Sequence, residues 1–141
     1  VKIFKKNTKV IELGNIYARR DWGYAKDYIP QIWKMMQLRE PEDFILATGK
    51  THSIKELINI ATKYLKLNVK WIGKGLNEKL IDKSSKKIIF RINKKLFRPS
   101  ELNYSKGDLK KISKNLKWKS SVNFKNLIKI MIEDELKNYK C

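Results

Sequence analysis

The stretch "DFILATGKTHSIKELINIATKYL", residues 43–65, decides the fold class. Its first part, Asp43 to Gly49, is an apolar run closed by Thr48 and Gly49, and it reads as a buried strand. Ser53 and Glu56 then form an S-x-x-E capping box, the signature of a helix start. From there Ile54, Leu57, Ile58, Ala61 and Leu65 recur at helical spacing and line one face. A strand passing into an amphipathic helix, with helices and short strands alternating beyond it, indicates an α/β or α+β domain.

Working outward, the same alternation continues. "KVIEL", residues 9–13, is short, partly apolar and followed by Gly14, which suits a strand ending in a turn. In "RRDWGYAKDYIPQIWKMM", residues 19–36, Asp27 is expected as an N-cap. Pro30 then falls in the first helical turn, where its missing N–H is not needed. Ile29, Ile32, Trp33 and Met36 share one helical face, and Pro41 sets the end. "NVKWIG" (68–73) and "KKIIFRIN" (86–93) read as strands, and the polar "KGLNEKLIDKSS" between them as a loop. Asp108 is placed to cap a helix carrying Leu109, Ile112 and Leu116. The last helix, with Phe124, Leu127, Ile128, Met131, Ile132 and Leu136, has the clearest period. No linker rich in glycine, proline or serine divides the chain, so residues 1–141 are treated as one unit. About four isolated strands make a thin sheet, as expected for part of a larger fold.

The formal charge of +19 invites a nucleic-acid reading. Its make-up argues against one. There are 28 lysines but only five arginines, and the lysines run from Lys2 to Lys140 without clustering. Bidentate reading of phosphate or guanine favours arginine, and a binding face needs a patch or stripe. Lysine, isoleucine and asparagine share A/T-rich codons, so base composition alone accounts for the bias. What the charge does predict is adhesion to polyanions at low salt. With 42% apolar and 11% aromatic residues the chain is expected to fold. No apolar run approaches the roughly 20 residues of a membrane span. The N-terminus lacks the long apolar core of a signal peptide, and the one cysteine is Cys141, so no internal disulfide forms. A cytoplasmic protein is the expectation.

Several chemistries are excluded by counting. His52 is the only histidine and reads as a solvent-accessible turn residue just before the Ser53 cap. One histidine and a terminal cysteine exclude zinc sites of the Cys/His type. There is no G-x-G-x-x-G turn and no P-loop, and no tyrosine is followed by lysine four residues later. The chain carries no dinucleotide-binding turn of its own and no catalytic residue is assigned. The positive signal is Arg20, before Asp21-Trp22, and Arg98 in "LFRPSEL" (96–102). Arginine is the scarce cation here, so codon bias explains neither. A guanidinium fork matches two phosphate oxygens. Pro99 fixes the backbone after Arg98, and Glu101 is close enough in sequence to accept hydrogen bonds from the vicinal hydroxyls of a ribose.

"LGNIYARRDWGYAKDYI" (13–29), "FILATGKTHSIKEL" (44–57), "LFRPSEL" (96–102) and "LKWKSSVNFKNLI" (116–128) follow one another as in GDP-mannose 4,6-dehydratases. These are extended short-chain dehydrogenases/reductases acting on nucleotide sugars. The resemblance runs from about residue 8 to residue 136. It departs at Lys117, where the family commonly has glycine, and at Tyr24, where it has histidine. It implies the C-terminal, substrate-binding portion of an α/β, NAD(P)-binding Rossmann-like fold, with the N-terminal dinucleotide-binding domain absent. By resemblance, NADP and the catalytic Thr/Ser, Glu, Tyr and Lys belong to that absent domain, and this segment alone is inactive. By resemblance too, Arg20 and Arg98 grip the diphosphate of a GDP-sugar, Glu101 binds ribose, and Gly14 and Asn15 lie along the nucleotide. Trp22 is expected to pack in the core. In the family reaction hydride leaves the sugar's C4 for NADP, water is eliminated across C5 and C6, and the hydride returns to C6. A homo-oligomer is implied for the full-length enzyme. A related dehydratase acting on another nucleotide sugar, such as a GDP-heptose, remains open, as do a basic nucleic-acid module and a non-catalytic sensor of nucleotide sugars. A segment cut from a larger sheet is expected to expose an edge and an apolar face, and to be marginally stable alone.

Overall fold

The structure, a computed structural model, describes residues 10–98 and 100–138. Pro99 and Cys141 lie outside the described residues, as do Lys2, Lys9 and Lys140. Among the described residues, six strands and four α-helices form in the order β1 (Ile11–Leu13), β2 (Arg19–Asp21), α1 (Ala25–Met36), β3 (Thr51–Ser53), α2 (Ile54–Tyr64), β4 (Val69–Ile72), β5 (Lys79–Asp82), β6 (Ile88–Ile92), α3 (Lys110–Leu116) and α4 (Phe124–Asn138). One sheet has the order β1-β6-β5-β4, with β1 parallel to β6 and the other pairs antiparallel. Strands β2 and β3 pair antiparallel by themselves, Arg20 opposite His52.

Helix α2 is the keel. Ile54 and Ile58 pack on the sheet, against a core of Ile16, Leu80, Phe90 and Ile92. Leu57, Ile60, Ala61 and Leu65 meet Phe124, Ile128 and Ile132 of α4, with Trp22 in the same cluster. The result is three layers: sheet, α2, α4. The start of α2 is as its sequence predicts, since the Ser53 hydroxyl accepts a hydrogen bond from the Glu56 N–H at 3.1 Å. The Glu56 carboxylate does not close the box and turns instead to Arg19 and His52.

The structure corrects several expectations. "KGLNEKLIDKSS" is not all loop, because it contains β5, an interior strand whose Leu80 and Ile81 are buried. Residues 43–49 form no strand; Ala47 is buried, but the segment has no strand partner among the described residues. Asp27 is not an N-cap. Helix α1 starts at Ala25 after Tyr24, which makes no side-chain cap, so Pro30 lies inside the helix. There it leaves the Lys26 carbonyl without its usual donor. The face of Ile29, Ile32, Trp33 and Met36 points away from the core. On α4, Met131 is likewise exposed, and on α3 the N-cap position is Leu109, one residue past Asp108. Asp108 still accepts from the Lys110 N–H at 2.9 Å.

The Asp27 carboxylate has a different task. It accepts hydrogen bonds from the Ser120 hydroxyl, the Ser121 N–H and hydroxyl, and the Val122 N–H, at 2.6 to 3.1 Å. These tie α1 to the loop that enters α4. Burial works against the charge on Asp27, but the bonds from Ser121, Val122 and Ser120 together outweigh it and hold its carboxyl below the usual range.

Lys117, where the resemblance expects glycine, ends α3 in the left-handed region at φ 49°, ψ 34°. A side chain there carries a steric cost that glycine avoids. Lys117→Gly is therefore expected to raise stability by about 1 kcal/mol, read as a higher thermal midpoint.

Candidate functional site

The site grows from β2. Its three residues pair with β3 on one side, and on the other Arg19 forms a parallel bridge with Tyr104. The Arg19 N–H donates to the Asn103 carbonyl at 2.8 Å, and the Ser105 N–H donates to the Arg19 carbonyl at 3.0 Å. This sets the 101–105 segment beside Arg20, 81 residues away in the chain. Arg20 donates through Nη2 to Glu101 Oε1 at 3.4 Å and through Nη1 to the Arg19 carbonyl at 2.9 Å. Its remaining N–H groups have no partner among the described residues. The Arg20 side chain is 34% exposed and that of Glu101 26%, so the pair is open to solvent and contributes little stability by itself.

Glu101 links Arg20 to Arg98. Its N–H donates to the Arg98 carbonyl at 3.2 Å, closing the turn that carries Arg98. The Arg98 side chain is exposed and has no ion-pair partner among the described residues. Gly14 completes the circuit from the other side. A Cβ added at Gly14 would lie 2.2 Å from the Leu96 carbonyl oxygen, so glycine is what lets β1 end flush against the turn leading to Arg98. Asn15 works locally: its Oδ1 accepts from the N–H groups of Tyr17 and Ala18 at 2.9 and 3.2 Å, an Asx turn that bends the chain toward β2. Gly14, Arg98, Glu101 and Arg20 thus fall into one neighbourhood by successive contacts, with Asn15 in the adjoining turn.

Neighbours that sequence reading did not assign hold this neighbourhood in place. Arg19 is engaged, reaching Glu56 Oε1 at 2.5 Å and the Thr51 carbonyl at 2.6 Å. Burial works against the charge on Glu56, and hydrogen bonds with His52 and Arg19 outweigh it, keeping its carboxyl low. His52 is not a turn residue; it sits in β3, stacked on Phe124 with ring centroids 4.0 Å apart. Trp22 packs as expected, its indole N–H donating to the His52 carbonyl at 3.2 Å. The Asp21 carboxylate gathers the N–H groups of Thr48 and Gly49 and the Thr48 hydroxyl, fixing the end of β2 to the turn before β3. Glu78 is buried and takes hydrogen bonds from the Tyr17 hydroxyl and from Lys55 Nζ. The bond to Glu78, followed by burial, pushes the Tyr17 phenol up to about 12.

The arrangement presents positive charge and hydrogen-bond donors beside one carboxylate whose Oε2 has no partner among the described residues. It suits an anion joined to a polyol. Two hollows are lined by other residues: an open one of about 670 Å³ beside Gly107 and Asp108, and one of about 350 Å³ beside His52 and Phe124. No helix among the described residues is long and apolar enough to cross a membrane.

The mixed sheet with its covering helices is an α/β fold of the extended short-chain dehydrogenase/reductase type. Among solved structures it matches the Pseudomonas aeruginosa protein RMD complexed with NADPH, with a TM-score of 0.73 at 14% identity, over 98% of this chain and 40% of that one. It also matches the UDP-glucose 4-epimerase of Thermotoga maritima with UDP-glucose, at TM-score 0.70 and 16% identity, over 99% of this chain and 38% of the other. The family model for GDP-mannose 4,6 dehydratase matches residues 1–131, and the chain belongs to that family. It is 37% identical over 135 residues to the GDP-mannose 4,6 dehydratase of Drosophila melanogaster, covering 96% of this chain and 34% of that protein. The human GDP-mannose 4,6 dehydratase is 36% identical over 135 residues, with 96% and 36% covered. The chain spans about a third of the length of these curated relatives.

Proposed function

We propose that this chain is the C-terminal, nucleotide-sugar-binding part of a GDP-mannose 4,6-dehydratase. The whole enzyme would be a lyase that converts GDP-mannose to GDP-4-keto-6-deoxymannose in the cytoplasm, as a homo-oligomer. The observation that carries the reading is the linkage of Arg20 to Glu101 and of Glu101 to the Arg98 turn, with the Arg98 fork left unpaired among the described residues. Arg20 and Arg98 take the two phosphates. Glu101, with Oε1 toward Arg20, keeps Oε2 for a ribose hydroxyl.

Hydride transfer is the chemistry supplied by NADP, which the N-terminal part of the enzyme would hold, since this chain has no glycine-rich turn to cradle it. These residues act at a distance from the reacting carbons. Gripping the diphosphate converts remote binding energy into orientation, holding the hexose where its C4 can react. Residues that choose the hexose would lie partly outside this chain, so turnover of GDP-mannose beside a GDP-heptose decides between those two substrates.

The test is Arg98→Ala in the full-length enzyme. Losing charge-assisted hydrogen bonds to phosphate lowers GDP-mannose affinity about tenfold to a hundredfold, with NADP affinity unchanged. Equal loss of both would remove the role given to Arg98. Titrations belong at physiological salt, where adhesion of polyanions to the +19 surface is screened.

A further inference from the structure

Along the sequence the lysines are dispersed, but the fold gathers six of them around two joined hollows. Helices α2 and α4 pack side by side. Where they meet, Lys63 and Lys66 from the α2 side and Lys125 and Lys129 from α4 line one groove of about 720 Å³, with Ile60 and Tyr64 between them. The hollow of about 350 Å³ beside His52 shares Ile60 and Lys125 with this groove and adds Lys50 and Lys119. All six lysines are exposed. Of the six, only Lys129 has an ion-pair partner among the described residues, Glu133 at 3.8 Å, which also accepts from the Tyr64 hydroxyl at 2.6 Å. Cations collected along a concave surface focus their field into it and attract an anion there.

We propose that this track is a binding site for a linear polyphosphate, a chain of linked phosphates held by lysines from both helices. The inference does not depend on where the GDP-sugar binds, since no lysine of the track belongs to the Arg20–Arg98 neighbourhood. The ligand class follows from the lining. Two joined hollows suit an extended chain better than a compact ion. Lysine is a compact charge on a flexible stem, so it follows a chain charged at every unit without demanding one geometry. A nucleic acid would be held by arginine and by free aromatic faces. No arginine lines either hollow, and His52 and Phe124 are stacked on each other. An acidic peptide carries its charges on separate side chains, each of which must be ordered on binding, whereas the phosphates arrive already joined.

The experiment titrates the full-length enzyme with medium-chain sodium polyphosphate at physiological salt, with excess GDP and NADP present to occupy their own sites. The parent is compared with two variants of equal charge. Lys63→Gln/Lys125→Gln/Lys129→Gln removes three cations from the track, and Lys70→Gln/Lys83→Gln/Lys87→Gln removes three exposed ones outside it. All six substituted side chains are exposed, so both variants keep the parent's melting temperature. The track variant binds polyphosphate at least about tenfold more weakly, and the control less than about twofold. Equal weakening in both overturns the proposal and leaves only the diffuse field of the +19 surface. Absence of saturable binding to the parent overturns it as well. So does tighter binding, lost in the track variant, of an RNA oligonucleotide or an oligoglutamate of matched charge, which assigns the track to that class instead.

Discussion

Replacing Gly14 with alanine is expected to cost about 3 kcal/mol of stability and, in the full-length enzyme, to weaken GDP-sugar binding together with it. The added Cβ would sit 2.2 Å from the Leu96 carbonyl oxygen and 2.8 Å from its carbon. Both are backbone atoms, so no side chain can rotate away. Either the end of β1 or the turn through Leu96 must move. The hydrogen bond from the Asn93 N–H to the Leu13 carbonyl, 2.8 Å long, anchors the start of that turn beside β1. The displacement therefore falls on the residues that follow, which lead to Arg98. Chemical denaturation reads the first effect and a GDP-mannose titration the second. An alanine variant of full stability and affinity would show that the two backbones do not meet there.

The second large effect is Asp27→Ala, expected to destabilise by about 3 kcal/mol. Four donors lose a charged acceptor at once, and bonds to a charged group contribute about 1.5–3 kcal/mol each before solvent replaces part of the loss. The donors are partly open to water, which keeps the total well below their sum. Because α1 and the entry to α4 are joined through this carboxylate, hydrogen exchange in residues 120–122 should accelerate with the fall in melting temperature. The pH dependence has a definite sign. The folded-state pKa of Asp27 is lowered, so its contribution is present above the unfolded pKa of about 3.9 and is lost as pH falls through the folded value. The Ala variant should accordingly lose less stability on acidification than the parent chain does.

What could be read from the sequence follows from how local each signal is. Helix α2 was legible because Ser53 and the spacing of Ile54, Leu57, Ile58 and Ala61 act within a few turns of one another. Strand β5 was not, because only Leu80 and Ile81 mark it, between Lys79 and Asp82, and its burial comes from the strands on either side. Strands β2 and β3 are three residues each and polar, formed by pairing with each other rather than by propensity. For α1 the period was right, and its apolar face is largely exposed among the described residues, in keeping with the apolar face a segment of a larger fold was expected to leave uncovered. Segment 43–49 failed as a strand for a related reason: a strand needs a neighbour as well as a composition. At the site, Arg20 and Arg98 stood out because arginine is scarce in this chain, and Glu101 through its closeness to Arg98. The ties that position them, Arg19 to Glu56 and Tyr17 to Glu78, join residues 37 and 61 apart and leave no pattern in a single sequence.

The central claim is that Arg20 and Arg98 share one diphosphate. It is tested most directly by titrating the full-length enzyme, and its Arg20→Ala/Arg98→Ala double variant, with GDP and with GMP. The account predicts that the parent enzyme prefers GDP by at least about tenfold, and that the double variant binds the two nucleotides alike. An unchanged preference for GDP in the double variant would contradict it.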